Sequence, residues 1–127
     1  MNREHALIVG AGGAFGSEIA RRFAREGLLV VGISRSLDSL AGIADELGDD
    51  FRPVAADMSN DSAIEATRAA LTLPVAIVVH APGLPVAGGI RHADTNILAA
   101  AVNIKVGGML RLVRAAEPRF RRGSIDP

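Results

Sequence analysis

Cysteine is absent from the 127 residues, which excludes disulfides, thiolate metal sites and a cysteine nucleophile. Tyrosine and tryptophan are absent as well, and four phenylalanines are the only aromatic side chains. Apolar residues still make up 49 % of the chain, so alanine, valine, isoleucine and leucine must fill the core. Net charge is missing too. The 14 basic and 14 acidic side chains cancel, leaving no global field for nucleic acid or for anionic lipid. No uninterrupted run reaches the roughly 18 apolar residues of a membrane span, and no signal peptide precedes the first apolar segment. The three histidines, His5, His80 and His92, lack metal-ligand spacing. The expectation is one soluble cytoplasmic domain over residues 1–127, with no metal, no nucleic-acid partner and no membrane.

What is present is organised around Leu7–Gly16, reading Leu-Ile-Val-Gly-Ala-Gly-Gly-Ala-Phe-Gly. Three apolar residues enter a glycine-dense turn and an amphipathic pattern leaves it, with Ile19, Ala20, Phe23 and Ala24 on one side and Glu18, Arg21, Arg22 and Arg25 on the other. That pattern predicts strand, tight turn and helix. Glycine admits positive φ and lets the backbone approach a ligand closely, while exposed N–H groups at a helix start attract phosphate. The plain G-x-G-x-x-G fingerprint is not met, because its third glycine would fall at Phe15; the glycines stand at 10, 12, 13 and 16.

Along the chain the pattern predicts strands at Ala6–Val9, Leu28–Ile33, Arg52–Ala56 and Val75–Val79. Pro53 marks the third of these as loosely held. A first helix from about Phe15 ends at Gly27; a second, capped by Ser36 or Asp38, carries Leu40, Ala44 and Leu47 and stops at Gly48. A third starts near Asp61 with Ile64, Thr67 and Leu71 on one face, and Pro74 follows it. A long last helix spans about Asp94 to Glu117, with Pro118 at its end and Asn103, Gly107, Arg111 and Arg114 as a narrow polar stripe. Its paired glycines, Gly107 and Gly108, each cost roughly 1 kcal/mol relative to alanine, so something should approach closely there. Alternating strands and helices mean right-handed βαβ units in a doubly wound α/β sheet.

Ligands of such sheets lie outside the carboxyl ends of the strands. Gly10–Gly16, Ser34 and Arg35, Asp57 and Met58, and His80–Gly83 would line that edge, as a dinucleotide running across strands requires. An acidic residue after the second strand would select an unmodified ribose; Ser34-Arg35 instead suits a 2′-phosphate, which favours NADP(H) over NAD(H).

Gly10-Ala-Gly-Gly-Ala-Phe-Gly16 resembles the T-G-x-x-x-G-x-G loop of the short-chain dehydrogenase/reductase family, with Val9 for the threonine and Ala14 for the middle glycine. Ala55-Ala-Asp57-Met58 resembles its third-strand end, whose aspartate binds the adenine amino group. His80-Ala81-Pro82-Gly83 sits where the family has N-N-A-G, and Val102-Asn103-Ile-Lys-Val-Gly resembles the helical segment whose asparagine supports a proton relay. The resemblance implies a Rossmann-type doubly wound parallel sheet, here ending after about four strands in the order 3-2-1-4. It also implies cofactor contacts at Gly10, Gly12, Gly13, Ala14, Phe15, Gly16, Ser34, Arg35, Asp57, Met58, His80, Ala81, Pro82 and Gly83, with relay support at Asn103.

The departures are as informative. The family's catalytic serine and Tyr-x-x-x-Lys motif have no counterpart, since there is no tyrosine and the only lysine is Lys105. Gly123-Ser-Ile corresponds to the start of a fifth strand, so the resemblance covers the first, cofactor-binding half of such an enzyme. His80 reads as a hydrogen-bonded substitute for asparagine or as a general base, Ser17 as a phosphate contact, and Asp57 with Asp61 as a ligand contact plus a helix cap. Arg111, Arg114, Arg119, Arg121 and Arg122 read as a solvated basic face. Order 3-2-1-4 leaves the fourth strand as an apolar edge, from which dimerisation, aggregation or pairing with a complementing second half is expected. The function classes in play are an NADP(H)-dependent short-chain oxidoreductase of which this is the dinucleotide-binding part, a non-catalytic dinucleotide-binding or dimerisation module, and an unproductive fragment.

Overall fold

The computed structural model describes residues 3–82, 92 and 94–120. Strands β1 (His5–Val9), β2 (Leu29–Ser34), β3 (Phe51–Ala55) and β4 (Val75–His80) form one sheet, all neighbours parallel, in the order β3-β2-β1-β4. The order is the one the family resemblance implies, and the boundaries are, within one residue, those expected from the apolar runs. The intervening helices are α1 (Ala14–Arg25), α2 (Ala41–Leu47), entered through a 3₁₀ turn at Asp38–Leu40, and α3 (Ser62–Ala69). The last helix comprises α4 (Thr95–Val102), a π-helical segment over Asn103–Gly107, α5 (Gly108–Ala116) and a 3₁₀ turn at Glu117–Arg119.

The central strands are apolar at successive positions because both faces are covered. Leu7, Val9, Val31 and Ile33 point into one core with Met58, Ala63, Leu71 and Leu112; Ala6, Ile8 and Val30 point into the other with Ala20, Leu40, Ile43 and Phe51. Gly32 is needed in β2 because the Phe51 ring lies over it, 2.2 Å from where a Cβ would stand. Pro53 is accommodated because β3 is an outer strand, paired on one side only.

Several local expectations are corrected. His5 belongs to β1 rather than to a polar lead and is fully buried. Its Nδ1 faces the carbonyl of Leu29 at 3.2 Å, and its Nε2 accepts the amide hydrogen of Thr72 at 3.0 Å. Asp61 does not cap α3 with its side chain but pairs with Arg111. The last α-helical stretch ends at Ala116, as Pro118 leads one to expect, and Pro118 itself sits inside the 3₁₀ turn that follows. That helix, Thr95–Arg119, is long and apolar enough by length and composition alone to cross a membrane, although no uninterrupted apolar run signalled it. One of its faces is spent on the fold, where α5 packs on α3 and β4 and buries Leu112, Ala115 and Ala116. β4 lies at the sheet's end, with one parallel bridge from Val75 to Phe120 on its outer side.

Candidate functional site

The turn between β1 and α1 is shaped by contacts that only glycine permits. Gly10 has φ +88°, and a Cβ there would lie 2.1 Å from the Ala81 carbonyl oxygen. A Cβ at Gly12 would lie 2.3 Å from the Ser39 carbonyl oxygen, and one at Gly16 would lie 2.0 Å from that of Gly10. Gly13 differs, since a Cβ there meets nothing nearer than 3.5 Å, so its bare backbone lies open. The Gly13 amide donates to Gly10 O at 3.1 Å, and the first helical bond is Ser17 N–H to Gly13 O at 2.9 Å. The amides of Ala14, Phe15 and Gly16 precede that bond and have no helical acceptor. No side chain caps this end of α1 and no acidic residue occupies its first turn. Such an end attracts an anion.

Two adjoining cavities follow from this turn. One, of about 660 Å³, is lined by Gly10, Gly12, Gly13, Ala14, Phe15, Gly16, Ser34, Ser39, Ala81 and Pro82. The second, of about 390 Å³, shares Gly10, Ser34 and Pro82 and continues over Arg35, Ala56, Asp57 and Met58 to Ile97, Ala100, Ala101 and Ile104. The structure therefore brings together the glycine turn and the ends of β2, β3 and β4. Gly83 lies outside the described residues, as do Gly123-Ser-Ile, Arg121 and Arg122.

The charged groups divide in their availability. Arg35 is exposed on the second cavity and makes no hydrogen bond or ion pair with a described residue. Ser34 Oγ is 2.6 Å from Ser39 Oγ, whose own proton goes to the Ser36 carbonyl at 2.8 Å, so Ser34 is the donor of the pair. Asp57 is partly spent within its own loop. Its Oδ1 accepts from the Ser59 hydroxyl at 2.6 Å and the Ser59 amide at 2.9 Å, and its Oδ2 from Asn60 Nδ2 at 3.3 Å. The Ser59 bonds hold the Asp57 carboxyl below its usual range, with the charges of Arg35 and Arg111 adding to the effect. One carboxylate oxygen thus retains capacity for a ligand amino group. Phe15 is 81 % exposed at the mouth of the first cavity.

Other candidates are placed elsewhere or otherwise engaged. The His80 ring lies 3.0 Å from the Ile104 carbonyl through Nε2, which must donate; Nδ1 is buried without a hydrogen-bond partner among the described residues. Ser17 donates its hydroxyl to Ala14 O at 3.1 Å instead of presenting it to a ligand. Asn103 is outside both cavities, its amide donating to Ser59 O at 3.1 Å and its Oδ1 accepting from Arg111 at 3.2 Å. Arg111 is no solvated residue, with a side chain only 15 % exposed. Among the described residues no cluster of three metal-ligating side chains exists. Ser39 and the wall Ile97, Ala100, Ala101 and Ile104 escaped the sequence reading; the wall's spacing of three, one and three residues marks a single helical face, but nothing in the sequence says which element it meets.

Comparison with known proteins bears on this arrangement. A family model described as short chain dehydrogenase matches residues 4–125. The chain is 30 % identical over 126 residues to a probable NADP-dependent dehydrogenase of Haemophilus influenzae, covering 94 % of this chain and 49 % of that protein. It superposes with a TM-score of 0.82 and 32 % identity on 3-ketoacyl-(acyl-carrier-protein) reductase from Brucella melitensis complexed with NADH, covering 94 % of this chain and 50 % of that one. An actinorhodin polyketide ketoreductase with NADPH superposes with a TM-score of 0.81 at 29 % identity, over 91 % of this chain and 48 % of that one. The chain thus spans about half the length of each of these relatives. With a glycine turn, a 3-2-1-4 sheet and a family match over residues 4–125, the chain belongs to the short-chain dehydrogenase family.

Proposed function

We propose that this chain is the dinucleotide-binding domain, cytoplasmic, of an NADP(H)-dependent oxidoreductase acting on a carbonyl or alcohol group. The observation that carries the reading is the shared cavity edge joining the amides at the start of α1, which have no helical acceptor, to Ser34 and to the guanidinium of Arg35, which has no partner among the described residues. The bare backbone at Gly13 and the amides of Ala14 to Gly16 fit a pyrophosphate. Arg35 fits a 2′-phosphate, with Ser34 lining the same edge, and Asp57 with Met58 fits an adenine ring. Ala81 and Pro82 continue the edge, and the resemblance adds His80 and Gly83 towards the nicotinamide side.

The bound nicotinamide would supply hydride transfer; this chain's residues bind, orient and screen it from water. The proton exchanged at a substrate oxygen finds no tyrosine here. The exposed apolar residues Val102, Val106 and Leu110 on the last helix favour a second reading, a non-catalytic dinucleotide-binding or dimerisation module. Both readings leave an apolar helix face to be covered, by a second copy or by a complementing second half. Among relatives the cofactors differ: the Brucella reductase is complexed with NADH and the actinorhodin reductase with NADPH. The preference for NADP(H) rests on Arg35.

Calorimetry of the chain with NADPH and with NADH tests the reading. Arg35→Ala is expected to weaken NADPH by roughly 1.5–3 kcal/mol, the size of a lost charge-assisted bond, and to leave NADH nearly unchanged. Equal losses for both cofactors would refute the 2′-phosphate role. No saturable binding of either would leave only the unproductive fragment.

A further inference from the structure

We propose that Arg111 is a positioning residue for the adenine-side cavity, clamping the β3–α3 loop to the last helix and setting the width of the slot between Met58 and Ile104. The proposal rests on the dinucleotide reading above and goes beyond it by naming what holds the slot open.

The clamp is built from four hydrogen bonds. Arg111 Nε donates to Asp61 Oδ1 at 2.9 Å, and its Nη1 donates to the Met58 carbonyl at 2.8 Å and to Asn103 Oδ1 at 3.2 Å. Asn103 Nδ2 donates to the Ser59 carbonyl at 3.1 Å. The loop carbonyls of Met58 and Ser59 are thus both held by the helix, and the two helical side chains hold each other. Asp61 is 82 % exposed, so its ion pair adds little in water. The weight falls on the backbone oxygens beside the cavity.

The π-helical turn and its glycines are the other half of the device. A Cβ at Gly107 would lie 2.8 Å from Asn103 Oδ1 and 2.9 Å from Arg111 Nη1, so a side chain there would push these two ends aside from where they meet. On the sheet side, a Cβ at Gly108 would lie 2.8 Å from His80 Cε1 and 3.4 Å from Met58 Cβ. His80 Nε2 donates to the Ile104 carbonyl at 3.0 Å. The π segment is therefore pinned from the loop by Arg111 and from β4 by His80. Met58 and Ile104, whose carbonyls receive those pins, both line the cavity. Two adjacent glycines in a helix are then explained by two close approaches, one on each side.

The test uses the purified 127-residue chain and two probes, adenosine 2′,5′-bisphosphate, which spans the slot, and inorganic pyrophosphate, which fits the glycine turn alone. Arg111→Met keeps the apolar stem and removes the donors; Arg111→Lys keeps the charge but cannot reach three acceptors. Affinity for the bisphosphate is expected to fall by about tenfold in Arg111→Met, the size of one charge-assisted bond, without recovery in Arg111→Lys, while pyrophosphate affinity holds. A parallel loss of both probes, an unchanged bisphosphate affinity, or full rescue by lysine overturns the proposal. Should Arg111→Met fail to fold by circular dichroism, Asn103→Ala, at an exposed side chain that holds the Ser59 carbonyl, decides instead. Selective weakening of the bisphosphate is expected, and no change in that variant overturns the clamp. A wild-type chain that ignores the bisphosphate refutes the cofactor reading itself, and the clamp's role with it.

Discussion

The backbone of Gly10 runs so close to Ala81 that a Cβ would stand 2.1 Å from the carbonyl oxygen of that residue. The contact joins the end of β1 to the end of β4, and Ala81 N–H donates to Val9 O at 3.0 Å in the same place. Gly10→Ala must therefore push the strand ends apart and also strain a φ of +88°. A loss of about 2 kcal/mol or more in urea unfolding is expected, with nucleotide binding abolished. Gly13→Ala, in open space, should keep the stability of the wild type while weakening pyrophosphate, which separates folding from binding.

His5 makes stability depend on pH. It is fully buried between Leu29 O and the amide of Thr72, an arrangement that only the neutral ring satisfies. Burial pushes its pKa below the ordinary imidazole value; the Leu29 carbonyl opposes this, and the charges of Arg52, Arg119 and Arg3 add to the lowering. The unfolded chain then binds the proton first as pH falls, so stability is full above the unfolded value of about 6.5 and declines below it. The melting temperature should drop between pH 7 and pH 5.5, and the drop should shrink in a folded His5→Gln variant. An identical slope in that variant would assign the effect to other groups.

The Asp57 carboxylate has the opposite surroundings and a lower window. Ser59 donates to it twice and holds its pKa down, so its contribution is present above about pH 4 and is lost as pH falls through the depressed value. Asp57→Ala should cost on the order of 1 kcal/mol at neutral pH, from the lost turn bonds. Asp57→Asn should keep part of that stability yet weaken an adenine-containing ligand. Chemical denaturation alongside calorimetry separates the two.

Val102, Val106, Met109 and Leu110 are 60, 59, 38 and 51 % exposed and recur at helical spacing. An uncovered stripe of this kind favours association. Sedimentation is expected to show concentration-dependent self-association, reduced by Val106→Lys together with Leu110→Lys. A sharp, concentration-independent melt of a monomer would count against it.

Much of the fold was legible in local pattern. Continuous apolar runs announced strands buried on both faces, and glycines at 27 and 48 marked helix ends, where the structure has positive φ at both. The glycine turn, Ser34-Arg35 and Asp57 could be assigned to one edge because parallel topology fixes where strand ends point. His5, Asp61 and Arg111 were misread for a shared reason. In sequence His5 reads as part of a polar lead, Asp61 as a helix cap and Arg111 as part of a solvated face, and each is defined by a partner far along the chain: Thr72 for His5, and Arg111 for Asp61. Ser39 escaped similarly, since its carbonyl matters only because Gly12 packs on it.

The amino-acid order alone determined the βαβ alternation and the turn where a phosphate would sit, because these depend on hydrophobic period and on glycine's freedom of φ; the strand order is legible only through the family resemblance. Only the tertiary structure decided which polar groups remain free for a ligand. Among the described residues Arg35 has no hydrogen-bond or ion-pair partner, while Asn103 and Arg111 are taken up by the loop over residues 58–61, and pairing across dozens of residues leaves no local trace in a sequence.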